Sequence, residues 1–185
     1  MSALVDSRRW TLEEYFALGE HGILKPDERT ELIRGEIVVT PPPGPWHSGS
    51  VNRINHRLHR LVGDRAIVAC QNPIVLGDDS APEPDFVLLW PRDDFYSTGH
   101  PTPKDVILAI EIADSSYLFD RNVKAGLYAE FNVPEFWLVH RQRRSVTIFR
   151  DPADGRYTSE IEVKAGDSLA IPELDIAVSA ADLGI

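Results

Sequence analysis

A mixed α/β or α+β domain, with a central mixed β-sheet flanked by helices and an N-terminal helix and hairpin, is what this sequence predicts. Three observations predict it. Short β-branched apolar runs (ELI, EIVVT, PDFVLL, VILAIEI, EFWLVH, SVTIF) read as strands. Two stretches, beginning near His47 and Asp120, repeat apolar residues at helical spacing instead. The order along the chain is helix, hairpin, helix, strands, helix, strands, which packs most simply as helices on one sheet.

The chain has 185 residues, 43% of them hydrophobic and 26% charged, enough for one globular domain over residues 1–185 with its core at about 10–180. The net charge of −10 argues against a protein that binds nucleic acid over its whole surface, although local basic patches can still meet phosphate. No apolar run reaches the roughly 18 residues of a membrane span. The N-terminus lacks the basic flank and apolar core of a signal peptide, so a cytoplasmic protein is expected. A single cysteine, Cys70, excludes an internal disulfide and a thiolate zinc cluster, and its AIVAC context reads as a small buried hydrophobe.

TLEEYFALG, from Thr11 to Gly19, reads as a Thr-capped helix with Leu12, Tyr15, Phe16 and Leu18 on its apolar face. HGILKPDERT is loop. ELI and EIVVT form a hairpin turning at Arg34-Gly35 and halted by Pro41, Pro42 and Pro43. His47 opens a helix with Val51, Ile54, Leu58, Leu61 and Val62 inward. Its other side carries Arg53, Arg57 and Arg60, a face that either meets a phosphate backbone or pairs with the protein's own acids. AIVACQNPIVLG makes two short strands or one bent one, broken at Asn72-Pro73.

The next strand sets Asp85, Val87 and Leu89 on one face and Phe86, Leu88 and Trp90 on the other. In VILAIEIA the same alternation places Ile107, Ala109, Glu111 and Ala113 together, with Val106, Leu108, Ile110 and Ile112 opposite. Asp85 and Glu111 are therefore acids on two buried strands. An ionised carboxylate is costly to bury unless it is paired or binds a metal, so the two together suggest a cation site. From Asp120 the pattern turns helical, with Val123, Leu127 and Phe131 buried. Asp120, Lys124 and Tyr128 make a second stripe, in which Asp120 and Lys124 are themselves a helix-stabilising pair. Two aromatic-containing strands follow, joined by the basic turn HRQRR, then further β structure turning at Asp154-Gly155 and Ala165-Gly166. SAADLGI is a Ser-capped final turn.

Four segments in this order resemble the Uma-two family of restriction endonuclease-like proteins, within the PD-(D/E)XK nuclease superfamily. They are ELIRGEIV, PEPDFVLL, AIEIADSS and DRNVKAGLYAEFNVPEFWLVH. The resemblance implies a restriction endonuclease-like fold and a metal-dependent endonuclease acting on DNA. It implies that Asp85 and Glu111 bind Mg²⁺ or Mn²⁺ with Glu31 as a third carboxylate, that Lys124 acts on the attacking water or the transition state, and that His47, Asp120 and Tyr128 support them. Three positions depart from the pattern. Ala113 stands where the superfamily places its lysine, which Lys124 supplies from the following helix, and Asp114 stands where the family has Ser and either joins the metal shell or faces solvent. Asn132 replaces a Gly, mildly, since Asn tolerates left-handed backbone. The displaced lysine and the net charge of −10 leave an alternative: a nuclease-fold module that binds without cutting, in a mobile-element or defence setting. Cutting two strands needs two sites, so a homodimer is expected of the enzyme.

Overall fold

A computed structural model describes residues 7–25 and 27–185; residues 1–6, read above for a signal peptide, and Pro26 in the expected loop lie outside the described residues. Helix α1 (Leu12–Glu20) is followed by the hairpin β1 (Arg29–Ile33) and β2 (Glu36–Thr40), then α2 (Pro45–Val62), β3 (Ile67–Cys70), β4 (Phe86–Leu89) and β5 (Val106–Ala113). A helical run comes next: α3 (Tyr117–Phe119), a π-helical stretch (Asp120–Lys124) and α4 (Ala125–Glu130). Then come β6 (Glu135–His140), β7 (Ser145–Ala153), β8 (Arg156–Lys164), β9 (Ser168–Ile171) and β10 (Ile176–Ser179). Strands β3 to β8 form one 6-stranded sheet in sequence order. Only β5 and β6 within it run parallel, and the helical run is the crossover between them.

Two apolar layers sandwich the sheet. On one face Ile54, Leu58 and Val62 of α2, with Leu169 and Ile171 of β9 and Ile176 and Val178 of β10, pack on Phe86, Leu108, Ile110, Trp137 and Val139. On the other, Leu127 and Tyr128 of α4 and Ile33 of the hairpin pack on Val87, Leu89, Ala109, Phe136 and Leu138. Alternation along β4 is as read, except that Trp90 falls beyond the strand and is 42% exposed. Along β5 it fails at the start. Ile107 packs with Leu108 in the α2 layer, and Val106 joins the α4 layer. The β4–β5 register shifts between Leu88 and Leu89, and this bulge reverses the side-chain parity.

Thr11 caps α1 through a capping box with Glu14. Tyr15 packs on Leu32 and Ala81, so the helix lies over the β1–β2 hairpin. The hairpin turns with φ of 50° at Arg34 and 74° at Gly35, and a Cβ on Gly35 would stand 2.7 Å from the Arg9 Cβ, so glycine is required there. Asn132 takes the left-handed backbone that its side chain tolerates, at φ 58°. Helix α2 begins at Pro45, capped by Gly44, so His47 sits inside the first turn rather than opening it. Only Ile67–Cys70 of the AIVACQNPIVLG segment is regular strand, because Gln71 turns left-handed at φ 52° ahead of Pro73. Cys70 is half-buried at the core's edge rather than fully inside it. Val123 and Phe131 are likewise only partly buried, whereas Leu127 is fully buried. Ser179 caps the last helical turn through the Ala181 N–H.

Candidate active site

The C-terminal ends of β5 and β6 lie at the same end of the sheet as the start of β4, because β4 runs antiparallel to β5 and β6 runs parallel to it. The hairpin covers this end from the α4 side, and the first turn of α2 reaches it from the other. Between them lies a cavity of about 440 Å³ lined by Glu31, His47, Asp85, Glu111, Asp114, Asp120 and Lys124, among others.

Lys124 is its centre. The side chain is 4% exposed, and its ammonium donates to Glu111 Oε1 at 2.7 Å and to Glu31 Oε1 at 3.0 Å. Glu31 Oε2 lies 2.8 Å from the same nitrogen yet, though buried, accepts no hydrogen bond. The three residues come from β1, β5 and the π-helical stretch, and a π-turn is a frequent device for redirecting one side chain of a helix. The expected Asp120–Lys124 helix pair does not form a contact. Asp120 instead accepts a 2.6 Å hydrogen bond from the Ser116 hydroxyl. Tyr128 reaches Glu111 Oε1 at a long 3.4 Å.

Asp85, just ahead of β4, accepts from the Ile112 N–H at 2.9 Å and from Gln71 Nε2 at 3.2 Å, and His47 Nε2 lies 3.0 Å from it. Burial pushes its carboxyl up, but His47, Ile112 and Gln71 more than offset this and hold it below the usual range. Its bond to Asp85 in turn raises the His47 imidazole, against burial. Burial pushes Glu111 well above the ordinary carboxylate range despite the Lys124 ammonium. It also lifts Asp120 to about 6, against Lys124 and the Ser116 hydroxyl. Burial opposes the charge on Lys124, yet Glu111, Glu31 and Asp120 together raise its pKa above the ordinary lysine value. Among the described residues no three Asp, Glu, His or Cys groups already enclose an ion-sized gap, and Lys124 bridges two of the carboxylates.

The Uma2 family model, described as "putative restriction endonuclease", matches residues 12–181. The chain belongs to the Uma2 family. A DUF820 protein from Anabaena variabilis, whose crystal structure is titled as that of a "putative nuclease", superposes on this Uma2 chain with a TM-score of 0.73 at 18% identity, covering 94% of this chain and 96% of that one. That likeness establishes the shared fold. The type IIG restriction endonuclease BpuSI aligns more weakly, with a TM-score of 0.37 and 15% identity over 75% of this chain and 15% of that one. No curated protein matches the sequence.

In the Uma2 chain the cavity gathers seven of the residues singled out from sequence, with Tyr128 behind Glu111. It does not gather Arg53, Arg57 and Arg60, which are exposed along α2 away from the cavity. Arg57 lies 3.5 Å from Asp182, and Arg53 approaches Gly184. Asp114 lines the cavity in an ion pair with Arg141 at 2.7 Å. Sequence reasoning passed over Arg29, Glu83, Gln71, Ser116 and Arg141. Period-2 alternation carried the signal for two of them, since Arg29 shares a face with Glu31 and Glu83 precedes Asp85 by two residues. Burial and the charge of Glu31 push Glu83 to about 6.

Proposed function

We propose that this Uma2 protein is a metal-dependent endonuclease hydrolysing DNA phosphodiester bonds, with Asp85, Glu111 and Lys124 as its catalytic residues. One observation carries the reading: a buried ammonium, delivered by a π-turn, held against acids from two separate strands at the floor of an open cavity. A structural ion pair has no need to sit in a cavity, beside a further carboxylate held ionised.

The donor set fits a hard divalent cation. It consists of carboxylate oxygens from Glu31, Asp85 and Glu111, all lining the one cavity. Asp85, Glu111 and Glu31 would hold Mg²⁺ or Mn²⁺, which when bound acidifies water and neutralises phosphate charge. The protein's own groups have separable tasks. Lys124 stays protonated between its two acids, so it donates hydrogen bonds and offers a fixed positive charge to the phosphoryl group rather than removing a proton. His47, Gln71 and the Ile112 N–H keep Asp85 ionised and fixed in direction. Asp120, tied to Ser116, and Tyr128, beside Glu111, support the charge and position of Lys124 and Glu111. Cutting both strands calls for two such sites, which a homodimer would supply.

Cleavage of supercoiled plasmid with Mg²⁺, with Mn²⁺ and with chelator tests the reading. Metal-dependent nicking by the wild type is expected, with at least a 100-fold loss in Asp85→Ala, Glu111→Ala and Lys124→Ala. Full cleavage in chelator, or by any of these variants, would refute it. Metal-independent DNA binding without cleavage would move the assignment to a binding module.

A further inference from the structure

We propose that the β6–β7 turn, Arg141 to Arg144, is a clamp that grips the DNA phosphates flanking the one presented to the cavity. The proposal deepens the nuclease reading and rests on it for the identity of the ligand. The cavity lining carries six carboxylates against three fixed cations, Arg29, Lys124 and Arg141, an excess of negative charge that repels a phosphate backbone, in a chain of net charge −10. Substrate therefore needs positive charge at the rim. The β6–β7 turn carries three arginines, all exposed, and Arg141 lines the cavity.

Two of these guanidinium groups, those of Arg141 and Arg143, are pre-ordered. Arg141 lines the cavity, stacks over Trp46 with its guanidinium carbon 4.5 Å from the ring centroid, and is tethered to Asp114 at 2.7 Å. Arg143 lies 5.8 Å over the Tyr117 ring, which itself packs edge-on against His140 with centroids 4.2 Å apart. The turn backbone is held as well. The Arg141 N–H donates to the Ala113 carbonyl at 3.2 Å, two residues beyond Glu111, and the Arg143 N–H donates to His140 Nδ1 at 3.0 Å. A guanidinium stacked on an aromatic face loses little freedom on meeting phosphate and keeps its outer donors free. By contrast, the arginines of α2 lie off the cavity.

The test is fluorescence anisotropy with a labelled duplex, measured across a salt series in chelator and again with Ca²⁺, so that no cleavage intervenes. Arg143→Ala/Arg144→Ala is compared with Lys104→Ala/Arg156→Ala, a charge-matched pair, also exposed, at the opposite end of the sheet. The turn variant should bind at least 10-fold more weakly and flatten the salt dependence by about 1–2, near 0.9 per lost phosphate contact. The control pair should change affinity less than 2-fold. Equal losses in the two pairs, wild-type affinity in the turn variant, or no wild-type binding under either condition would overturn the clamp. Plasmid nicking by the wild type separates this failure from failure of the nuclease reading, because nicking with an unaffected turn variant leaves that reading intact.

Discussion

Replacing Lys124 by Met keeps the apolar stem and removes the ammonium, which leaves Glu31 and Glu111, 6% and 5% exposed, facing one another without a cation. Removing one partner of a buried ion pair costs about 3–5 kcal/mol. Two acids lose their partner here, which favours the upper end. Glu111 relieves part of the cost by taking a proton, since burial already pushes its carboxyl well up. About 3 kcal/mol is left, and a chain of this size loses about 2–4 °C per kcal/mol, so Tm in chelator at pH 7.5 should fall by about 6–12 °C. Adding Glu31→Gln to Lys124→Met removes one of the stranded charges and should restore about a third of the loss. The deficit should also shrink on acidification, because the stranded acids then protonate. Thermal unfolding of wild type, single and double variants, in chelator at pH 7.5 and pH 5, measures all of this. A drop below about 2 °C, or a double variant less stable than the single, would refute the view of Lys124 as the charge that makes two buried acids tolerable.

Two further outcomes follow from the same geometry. Asp120 has a folded-state pKa of about 6, above its ordinary value, so its contribution is fully present below pH 4 and lost as pH rises through 6. Asp120→Asn should therefore be more stable than wild type in chelator at pH 7.5, by about 1–3 kcal/mol, with the gap closing toward pH 4; a gap independent of pH would contradict this. Gly35→Ala forces a left-handed alanine whose Cβ meets the Arg9 Cβ at 2.7 Å, and chemical denaturation should show a loss of about 1–2 kcal/mol. Unchanged stability would mean that the hairpin turn relaxes at no cost.

Much of the fold was legible because its elements are locally specified. The Thr11 capping box, the Arg34-Gly35 turn, the α2 stripe of Ile54 and Leu58 and the left-handed Asn132 each depend on a few neighbouring residues. Where reading failed, a non-local event intervened. The bulge against β4 reversed the facing of Val106 and Ile107, and the end of β4 at Leu89 left Trp90 outside the core.

The same division holds at the site. The sequence alone singled out Asp85 and Glu111, since acids inside buried strands are conspicuous against their apolar neighbours, and alternation gave each a defined face of its own strand. For Lys124 it offered a helix neighbour, Asp120, as partner. Helical spacing favours that pair, and only the tertiary structure could decide against it. A π-turn and the packing of the β1–β2 hairpin over the α4 layer bring Glu31 and Glu111 to the ammonium, while Ser116 takes Asp120. Arg141 was invisible for the same reason. A basic turn reads as solvated surface until the parallel pairing of β5 and β6 sets it beside Ala113 and over Trp46.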